Sequence, residues 1–419
     1  MFETISNAIY DIDAVIWGWW LIILLFGTHI FMTIRTGFIQ RKTLSKGIKL
    51  SVTRDPDAEG EVSNFGALTT ALAATIGTGN IVGVGTAIAL GGPGAVLWCW
   101  LSGVFGIATK YSESLIAVKY RVKTKDGRMQ GGAMYALSRG LKWKGLGKVL
   151  GMIFAIFAGF ASFGIGCATQ VNAIANIVEE NGNIPGWNDG IVIAVLTAIV
   201  IFGGIKSIAS VCEKLVPFMA LVYIAGSLIV ILCNITRLPS AVAQIFLGAF
   251  NPSAVLGGAA GVTVKEAIRY GVARGLFSNE AGMGSTPHAH ARAVVKNPHC
   301  QGLAAMISVF IDTFIVLNLT VFSILTTNSL SSGKDGIMLT QYAFSTVFGS
   351  FGDIFIAVCL LFFAFSTILG WHFFGSINVK HLFGKKGMVP YSVLVAVFIV
   401  VGSMLKVDLV WTPADFFNG

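Results

Sequence analysis

Long apolar runs follow one another along almost the whole of this chain. A run of about twenty apolar residues is what an α-helix needs to cross the roughly 30 Å of hydrocarbon in a bilayer. Strands of a membrane β-barrel would instead alternate polar and apolar residues over about ten positions. The pattern therefore predicts an all-α polytopic membrane protein with ten spans, at residues 14–34, 64–90, 94–118, 149–178, 190–205, 215–234, 253–278, 302–327, 353–377 and 388–405.

Composition supports this class. Of the 419 residues, 55% are hydrophobic and only 12% are charged, whereas a soluble domain carries roughly 25% charged residues. Because no linker rich in Pro, Ser or charge interrupts the runs, a single transmembrane domain is expected over 1–419. Asp11 and Asp13 precede the first run, where a cleavable signal peptide would carry basic residues. The six scattered cysteines are expected to be mostly buried free thiols.

The distribution of basic residues predicts the orientation. If the N-terminus lies outside, the cytoplasmic connections carry 25 of the 29 Lys and Arg residues, as the positive-inside rule requires. The net charge of +9 is then explained by the membrane topology and does not indicate a nucleic-acid partner. Three of the connecting stretches, 35–50, 131–146 and 338–349, have the pattern of short helices lying at a membrane surface. The connections counted as cytoplasmic are 35–63, 119–148, 205–214, 265–301 and 378–387.

Two of the apolar runs contain glycine-rich interruptions. The run 64–90 has Ile76-Gly77-Thr78-Gly79-Asn80 at its centre, and each Gly weakens a helix. An unwound turn at membrane depth frees backbone N–H and C=O groups, which suit a carboxylate and a small cation. The alternative is that these glycines only allow close helix packing, as in small-xxx-small contacts.

The second interruption makes the first more informative. The run 253–278 and its continuation contain Gly271, Gly275, Gly282 and Gly284, and residues 275–279 (Gly-Leu-Phe-Ser-Asn) resemble the first break. By the topology above, the two broken runs cross the membrane in opposite directions. Matching broken helices in two inverted halves are the best sequence indication of a transport site. Inverted five-helix repeats over 64–234 and 253–419 are therefore predicted, with 14–34 as an extra N-terminal helix.

These stretches resemble the alanine or glycine:cation symporter family, also called sodium:alanine symporters. The resemblance implies an inner-membrane, sodium-driven symporter with the leucine-transporter-like fold of five-plus-five inverted repeats. Two departures stand out: Gly131–Tyr135 lacks a proline that the family usually has, and the sequence stops at Gly419, where the family continues into one further helix. Either the sequence is truncated or the second repeat is expected to lack its last helix. The matching stretches are ALAATIGTGNIVGV (71–84), GGPGAVLWCWLSGVFGIATKYSESLIAVKYR (91–121), IRYGVARGLFSNEAGMGSTPHAHARA (268–293), AFSTILGWHFFG (364–375) and WTPADFFNG (411–419).

The substrate expected from this resemblance is a small zwitterion, alanine or glycine. Its carboxylate needs amides and hydroxyls, and its ammonium needs acceptors. Phe163, Gly166 and Gln170 are spaced to share one helical face, and a ring, a gap and an amide suit such a ligand. Gln170 could alternatively serve a helix–helix hydrogen bond. The full set of candidate substrate-binding residues is Thr78, Gly79, Asn80, Phe163, Gln170, Phe277, Ser278, Thr367 and Trp371.

The resemblance also implies a sodium site between the first broken helix and the run 353–377. Mapped residue by residue, it would use the carbonyls of Ala73, Ile76 and Phe363 with the hydroxyls of Ser366 and Thr367. Five oxygens without a carboxylate suit a hard monovalent cation. An intramembrane Ser-Thr pair can alternatively bond back to its own helix. Trp371, one turn after Thr367, is either a wall of the substrate site or a core residue.

Four acidic residues in or beside spans offer further chemistry. Glu113 is three residues from Lys110 and is expected to form a structural ion pair with it. Asp312 has no cation nearby in sequence and is the candidate coupling carboxylate if protons drive transport. Glu266 lies in the run 253–278 and Glu280 directly beyond its end, where Glu280 is expected to cap the half-helix after the second break.

No catalytic set accompanies these features. The sequence offers no Ser-His-Asp, Cys-His or nucleotide-binding set, and the six histidines have no metal-ligand spacing, with His288 expected in a cytoplasmic loop. The sequence therefore predicts a sodium-coupled symporter of a small neutral amino acid, not an enzyme. The alternatives are a proton-coupled symporter and, with less support, a channel or sensor on the same fold.

Overall fold

The computed structural model describes residues 15, 18–53, 58–124, 127–182, 185–251, 263–405 and 410. Within these residues the chain is almost entirely helical. Its short antiparallel strand pair, Val122–Lys123 (β1) and Met129–Gln130 (β2), lies in the connection that follows the third predicted span. The prediction of an all-α protein is confirmed.

The described residues of the first half form ten α-helices. They are α1 Trp19–Arg35, α2 Ile48–Val52, α3 Asn64–Thr75, α4 Val82–Gly91, α5 Ala95–Lys119, α6 Ala133–Gly140, α7 Lys144–Phe163, α8 Thr169–Gly182, α9 Gly186–Phe202 and α10 Gly204–Cys233.

The second half contains eight more among the described residues. They are α11 Leu238–Phe250, α12 Val264–Asn279, α13 Pro287–His290, α14 Pro298–Val309, α15 Asn318–Thr326, α16 Gly336–Phe348, α17 Ser350–Phe383 and α18 Met388–Met404. The predicted run 253–278 lies partly outside the described residues, which resume at 263.

Helix lengths and exposed side chains fit a membrane protein. Among the residues that the structure describes, four continuous stretches are long and apolar enough to cross a bilayer, and two bent pairs would raise that number to six. Large apolar side chains such as Ile199, Leu221 and Val397 are 65%, 66% and 48% exposed, and a soluble protein seldom exposes a continuous apolar surface. The four stretches are Lys144–Glu179, Gly204–Cys233, Pro298–Thr326 and Ser350–Met404.

Packing follows the inverted repeat. Three helices of the first repeat pack against their counterparts in the second: α5 against α14, α7 against α17, and α9 against α18. Each broken helix packs against the other repeat: α12, from the second repeat, packs on α5 of the first, and α3, from the first repeat, packs on α14 of the second. The extra helix α1 packs on α5, where the buried His29 Nδ1 lies 2.8 Å from Thr109 Oγ1. This arrangement brings both broken helices to the centre of the bundle.

Three expectations need correction. Helix α11 was not predicted, and it buries Ala241 and Ile245 in a cluster with residues of α15. The stretch 338–349 is not a surface helix, because Leu339, Ala343 and Phe344 on α16 are fully buried. Finally, three basic residues assigned to a cytoplasmic connection lie inside α12, the first half of the second broken helix: Lys265, Arg269 and Arg274.

The six cysteines are free. Cys99, Cys167, Cys212 and Cys359 are buried, Cys300 is half-buried and Cys233 is exposed.

Candidate functional site

The first break interrupts the helix between Thr75 and Val82. The two helical pieces are bent by 59°, Gly77 is extended (φ −127°, ψ −151°), and 78–80 form a single 3₁₀ turn. The freed groups find partners on other elements: Thr320 Oγ1 donates to Asn80 O (2.7 Å) and Thr340 Oγ1 to Ile81 O (3.0 Å). These two threonines were missed in the sequence, although Thr320 shares a helical face with Asp312.

The second break lies later than predicted. Helix α12 continues through Asn279, and the chain leaves it at Glu280, which has a left-handed φ of +53°. The irregular segment 280–286 then leads into α13. Its glycines at 282 and 284 have φ of +93° and +72°, which L-residues with side chains seldom adopt. The prediction that 275–279 form the break is therefore wrong.

The glycines inside α12 serve packing instead. A Cβ at Gly271 would lie 2.2 Å from Ala95 O, and one at Gly275 would lie 3.0 Å from Cys99 Sγ. Glycine at both positions lets α12 approach the α5 backbone closely, as small residues do at helix interfaces in membranes. At these two positions the packing alternative is correct.

The two broken helices meet around Gly79. A Cβ there would lie 3.3 Å from Phe277 Cδ1 and 3.5 Å from Ser278 Cα. Asp312, fully buried on the second helix of the second repeat, also lies at this junction. Its Oδ1 accepts from Asn80 Nδ2 (2.8 Å), and its two oxygens accept from Ser278 Oγ at 3.1 and 3.0 Å. One carboxyl group thus bridges both broken helices.

Unpaired polar atoms remain at the first break. Thr78 Oγ1 and Asn80 Oδ1 are buried without a hydrogen-bond partner in the described part of the chain. Such atoms cost free energy unless a ligand or water satisfies them. Because Gly79 between them has no side chain, the buried break offers a small polar ligand a hydroxyl, an amide oxygen and backbone that no side chain of its own covers.

Gln170 reaches the first break and Phe163 does not. Gln170 Oε1 accepts from Thr78 N (3.3 Å), and its Nε2 donates to Ile165 O (2.9 Å). The Phe163 ring packs instead on Tyr391 and Phe398 of α18, at centroid distances of 5.3 and 4.9 Å. The cause is the π-helical turn 164–168, which inserts a residue and rotates the helix that follows.

Four of the five residues proposed for sodium meet where α17 crosses α3. Thr367 Oγ1 lies 3.0 Å from Ala73 O and from Phe363 O, and Ser366 Oγ lies 3.3 and 2.8 Å from the same two carbonyls. Ile76 is fully buried at the end of α3. The two hydroxyls therefore bond back to their own helix and also reach the carbonyl of Ala73 on α3. Bonding within α17 and contact with the first broken helix, which the sequence left as alternatives, occur together.

Trp371 is fixed between the two repeats. Its Nε1 donates to Glu280 Oε1 (2.9 Å), while the hydroxyl of Ser285 donates to Glu280 Oε2. On the other side, its Cβ lies against Gly166, where an added Cβ would be only 2.4 Å away. Glu280 was expected to cap the half-helix that follows it, and its carboxylate instead holds Trp371 beside the second break.

Gly166→Ala is expected to lower stability by about 1–3 kcal/mol, because the new methyl overlaps Trp371 and forces the backbone apart. Gly159→Ala is the matched control, since nothing lies within 4 Å of a Cβ there. Thermal unfolding of both variants in detergent measures the difference. Equal melting temperatures would show that the contact between Gly166 and Trp371 is not tight.

Two ionisable residues on α5 hold the second break. Lys110 Nζ donates to Glu280 O (2.9 Å) and to Thr286 Oγ1 (2.7 Å), and Glu113 Oε1 accepts from Gly284 N (3.1 Å). The expected ion pair between Lys110 and Glu113 is replaced by these bonds to segment 280–286. Both residues are therefore part of the second break rather than a separate pair.

His288 also belongs to this region. It was expected in a cytoplasmic loop, and the structure buries it completely in α13. Its ring stacks on Phe154 with a centroid distance of 6.0 Å, and its Nδ1 lies 2.6 Å from Ser285 O.

One end of both broken helices is closed by a strap, which we define as residues 59–62 and 291–295. Glu61 N donates to Arg292 O (2.8 Å) and Val294 N to Val62 O (2.9 Å). Arg292 Nη1 also lies 3.2 Å from Glu61 Oε2. The segment before α3 and the segment after α13 are thus joined at the basic face, the end of the bundle that carries the Lys- and Arg-rich connections.

Arg121, at the end of α5, reinforces the strap. Its guanidinium donates to the carbonyls of Glu59, Ala291, Ala293 and Val295 at 2.7–3.2 Å. At the surface, a hydrogen bond from Lys123 lowers the pKa of Glu59, so this carboxyl stays charged. These bonds hold segments 59–62 and 291–295 together at the basic face.

Known proteins resemble the chain over nearly its full length. It is 45% identical to an uncharacterized transporter of Haemophilus influenzae, with 99% of this chain and 91% of the relative covered. It is 43% identical to the sodium/alanine symporter AgcS of Methanococcus maripaludis, over the same shares. A crystal structure of MhsT in complex with L-phenylalanine matches with a TM-score of 0.59 at 15% identity, covering 85% of this chain and 87% of MhsT.

The match to MhsT is one of fold, and it agrees with the inverted five-helix repeats with two broken helices described above. The model of the sodium:alanine symporter family matches residues 2–419. The chain is therefore a transporter, not an enzyme, and it belongs to the sodium:alanine symporter family.

Proposed function

We propose that this chain imports a small neutral amino acid, alanine or glycine, together with sodium by alternating access. The observation that carries the proposal is the junction of the two broken helices. There Gly79 lies against Phe277, and the buried hydroxyl of Thr78 has no partner among the described residues. We further propose that it is a single domain in the inner membrane with its N-terminus outside and the basic face in the cytoplasm.

The junction supports a zwitterion of small size. The hydroxyl of Thr78, which has no partner among the described residues, is a donor for a carboxylate, and the equally unpartnered amide oxygen of Asn80 is an acceptor for an ammonium. The Phe277 ring would lie 3.3 Å from a Cβ added at Gly79, which leaves little space for a longer side chain. Trp371, held by Glu280, forms the wall on the side of the second break. Phe163 points away and is left out of the proposed site.

Uptake into proteoliposomes tests the proposal. Radiolabelled alanine should accumulate when sodium is high outside and low inside, and accumulation should stop when choline replaces sodium. Glycine should compete with the label and leucine should compete much less. Accumulation that is independent of the sodium gradient would rule out sodium coupling. Strong competition by leucine would rule out a pocket limited to small side chains.

Gln170→Ala is expected to weaken alanine binding about tenfold, because Thr78 N loses its acceptor and Gln170 no longer orders the break. Gln244→Ala on α11 is the control, since that helix carries none of the proposed site residues. Scintillation proximity binding with purified protein measures both. Equal affinities in the two variants would place Gln170 outside the substrate site.

Thr367→Val is expected to raise the sodium concentration for half-maximal binding about tenfold, because one of the oxygens near Ala73 and Phe363 is lost. Thr326→Val removes an equally buried hydroxyl that bonds only to its own helix at Phe322 O and serves as control. Sodium titrations of alanine binding measure the shift. A change in alanine affinity at saturating sodium, with the sodium midpoint unmoved, would assign Thr367 to the substrate.

Proton coupling is the second candidate, and Asp312 is the observation that favours it. A buried carboxyl group that bridges both broken helices could change its proton during the cycle. Alanine uptake driven by a pH gradient in sodium-free buffer would support this candidate. Loss of that uptake in Asp312→Asn would then assign the proton to Asp312.

A further inference from the structure

A cavity of about 540 Å³ lies at the basic face, away from the proposed substrate site. It is enclosed by α9, the start of α10, the end of α17 and the start of α18. Its walls are mostly apolar, as at Ile205, Val395 and Ile399. A space of this size is in the usual range for a bound small molecule or lipid chain, about 300–1,000 Å³.

Three basic residues line the cavity on the side nearest the connections. They are Arg128, Arg292 and Lys380, and no acidic residue is part of the lining. Arg128 and Arg292 are close enough to repel each other electrostatically. Arg292 is also the strap residue that pairs with Glu61 at 3.2 Å. An anion between the guanidinium groups would relieve their repulsion.

Buried polar atoms without partners also line the cavity. Thr197 Oγ1, His372 Nδ1 and Arg292 Nε have no hydrogen-bond partner among the residues that the structure describes, and these residues are only 2%, 3% and 5% exposed. His372 is eight residues before Lys380 on the same helix, hence about 12 Å deeper. A pure hydrocarbon occupant would leave these atoms unpaired, whereas a molecule with oxygens at two depths would satisfy them.

The mouth of the cavity is apolar. Phe202 is 90% exposed and Val389 is 72% exposed, and both line the cavity. In a membrane protein such residues face lipid rather than water. An occupant therefore enters from the bilayer, with its charged part at the level of the basic connections.

We propose that this cavity binds one anionic phospholipid. The phosphate lies between Arg128, Arg292 and Lys380, the ester oxygens lie at the depth of Thr197 and His372, and an acyl chain runs along Val395 and Ile399. Clusters of basic residues between helices at the cytoplasmic side suit anionic headgroups, each residue contributing to the affinity. The proposal does not depend on which substrate or ion is carried.

Native mass spectrometry of the full-length purified chain tests the headgroup. Dioleoyl-phosphatidylglycerol is expected to be retained roughly tenfold better than dioleoyl-phosphatidylethanolamine, which has the same chains. The double variant Arg128→Gln/Lys380→Gln should lose this preference. The double variant Lys142→Gln/Lys148→Gln, which removes two exposed basic residues elsewhere on the chain, should keep it. Equal retention of the two lipids by the unaltered protein would overturn the proposal.

The cavity itself is tested by filling it. Ala396→Trp places a large ring in the lining, whereas Val397→Trp changes the neighbouring residue, which is exposed and not part of the lining. Only Ala396→Trp should abolish phosphatidylglycerol retention. Retention in both variants would place the lipid elsewhere, and displacement of the lipid by millimolar inorganic phosphate would indicate a site for a free anion.

A measurement on the unaltered protein avoids any folding defect in the variants. Phosphatidylglycerol with a diazirine in its acyl chain should label peptides of α9 and α18 on illumination. Labelling confined to other helices would overturn the proposal even if the variants unfold.

Discussion

We expect Asp312→Asn to reduce alanine uptake by roughly 100-fold while the protein still folds. The carboxyl group accepts from Asn80 at 2.8 Å and from Ser278 at 3.0–3.1 Å. Asparagine is neutral and keeps one acceptor oxygen in place of two, so its NH2 group faces either Asn80 or Ser278 where the carboxyl group accepted. A buried donor that loses its acceptor costs about 1–3 kcal/mol. The lost hydrogen bonding therefore destabilises the junction of the two broken helices. Initial uptake rates in proteoliposomes measure it.

Asp353→Asn is the matched control for this substitution. Asp353 Oδ1 accepts from Ser345 Oγ (2.5 Å) at the start of α17, and no residue of the proposed site takes part. Uptake by the control should stay within about twofold of the unaltered protein. If Asp312→Asn transported equally well, the carboxylate would be a structural group and the junction would not depend on its charge.

Gly60→Ala is expected to open the strap. A Cβ at Gly60 would lie 2.5 Å from Val294 N, so the segments 59–62 and 291–295 could no longer pair as they do. The amides of Glu61 and Val294, which now donate across the strap, should exchange with solvent at least about tenfold faster. Alanine uptake should fall by a similar factor, because the proposed alternating access requires this end to close in each cycle. Hydrogen exchange with mass spectrometry and uptake assays measure the two effects.

Gly145→Ala controls for the change of glycine to alanine. It lies at the start of α7, where nothing is within 4 Å of an added Cβ. Exchange at the strap should be unaltered in this variant. Unaltered exchange in Gly60→Ala as well would mean that the strap tolerates a side chain, and it would then not be a closure of the transport path.

Several features could be predicted from the sequence because they depend on local pattern. The long apolar runs predict helices that span a membrane, and Gly77 with Gly79 predicts the first break. The family was identified from contiguous stretches such as 268–293. The pairing of Thr367 with Ala73 followed from the resemblance, since neither residue is near the other in the chain.

Other features depended on helical phase, which a linear pattern does not reveal. A π-helical turn at 164–168 separates Phe163 from Gln170, although ideal α-helical spacing places them on one face. The second break begins at Glu280 because Gly271 and Gly275 are used for close contact with α5. In both cases the role of a residue depends on the side chain or backbone that it contacts in the folded protein.

By itself, the sequence determined that this protein is an all-α membrane protein with two interrupted helices in inverted halves, because hydrophobic length and glycine content act locally. Only the tertiary structure decided where the breaks meet and what holds them. Asp312 lies 232 residues from Asn80, and Lys110 lies 170 from Glu280. Contacts over such separations arise from the packing of whole helices, whose rotation and depth are set by all of their neighbours together.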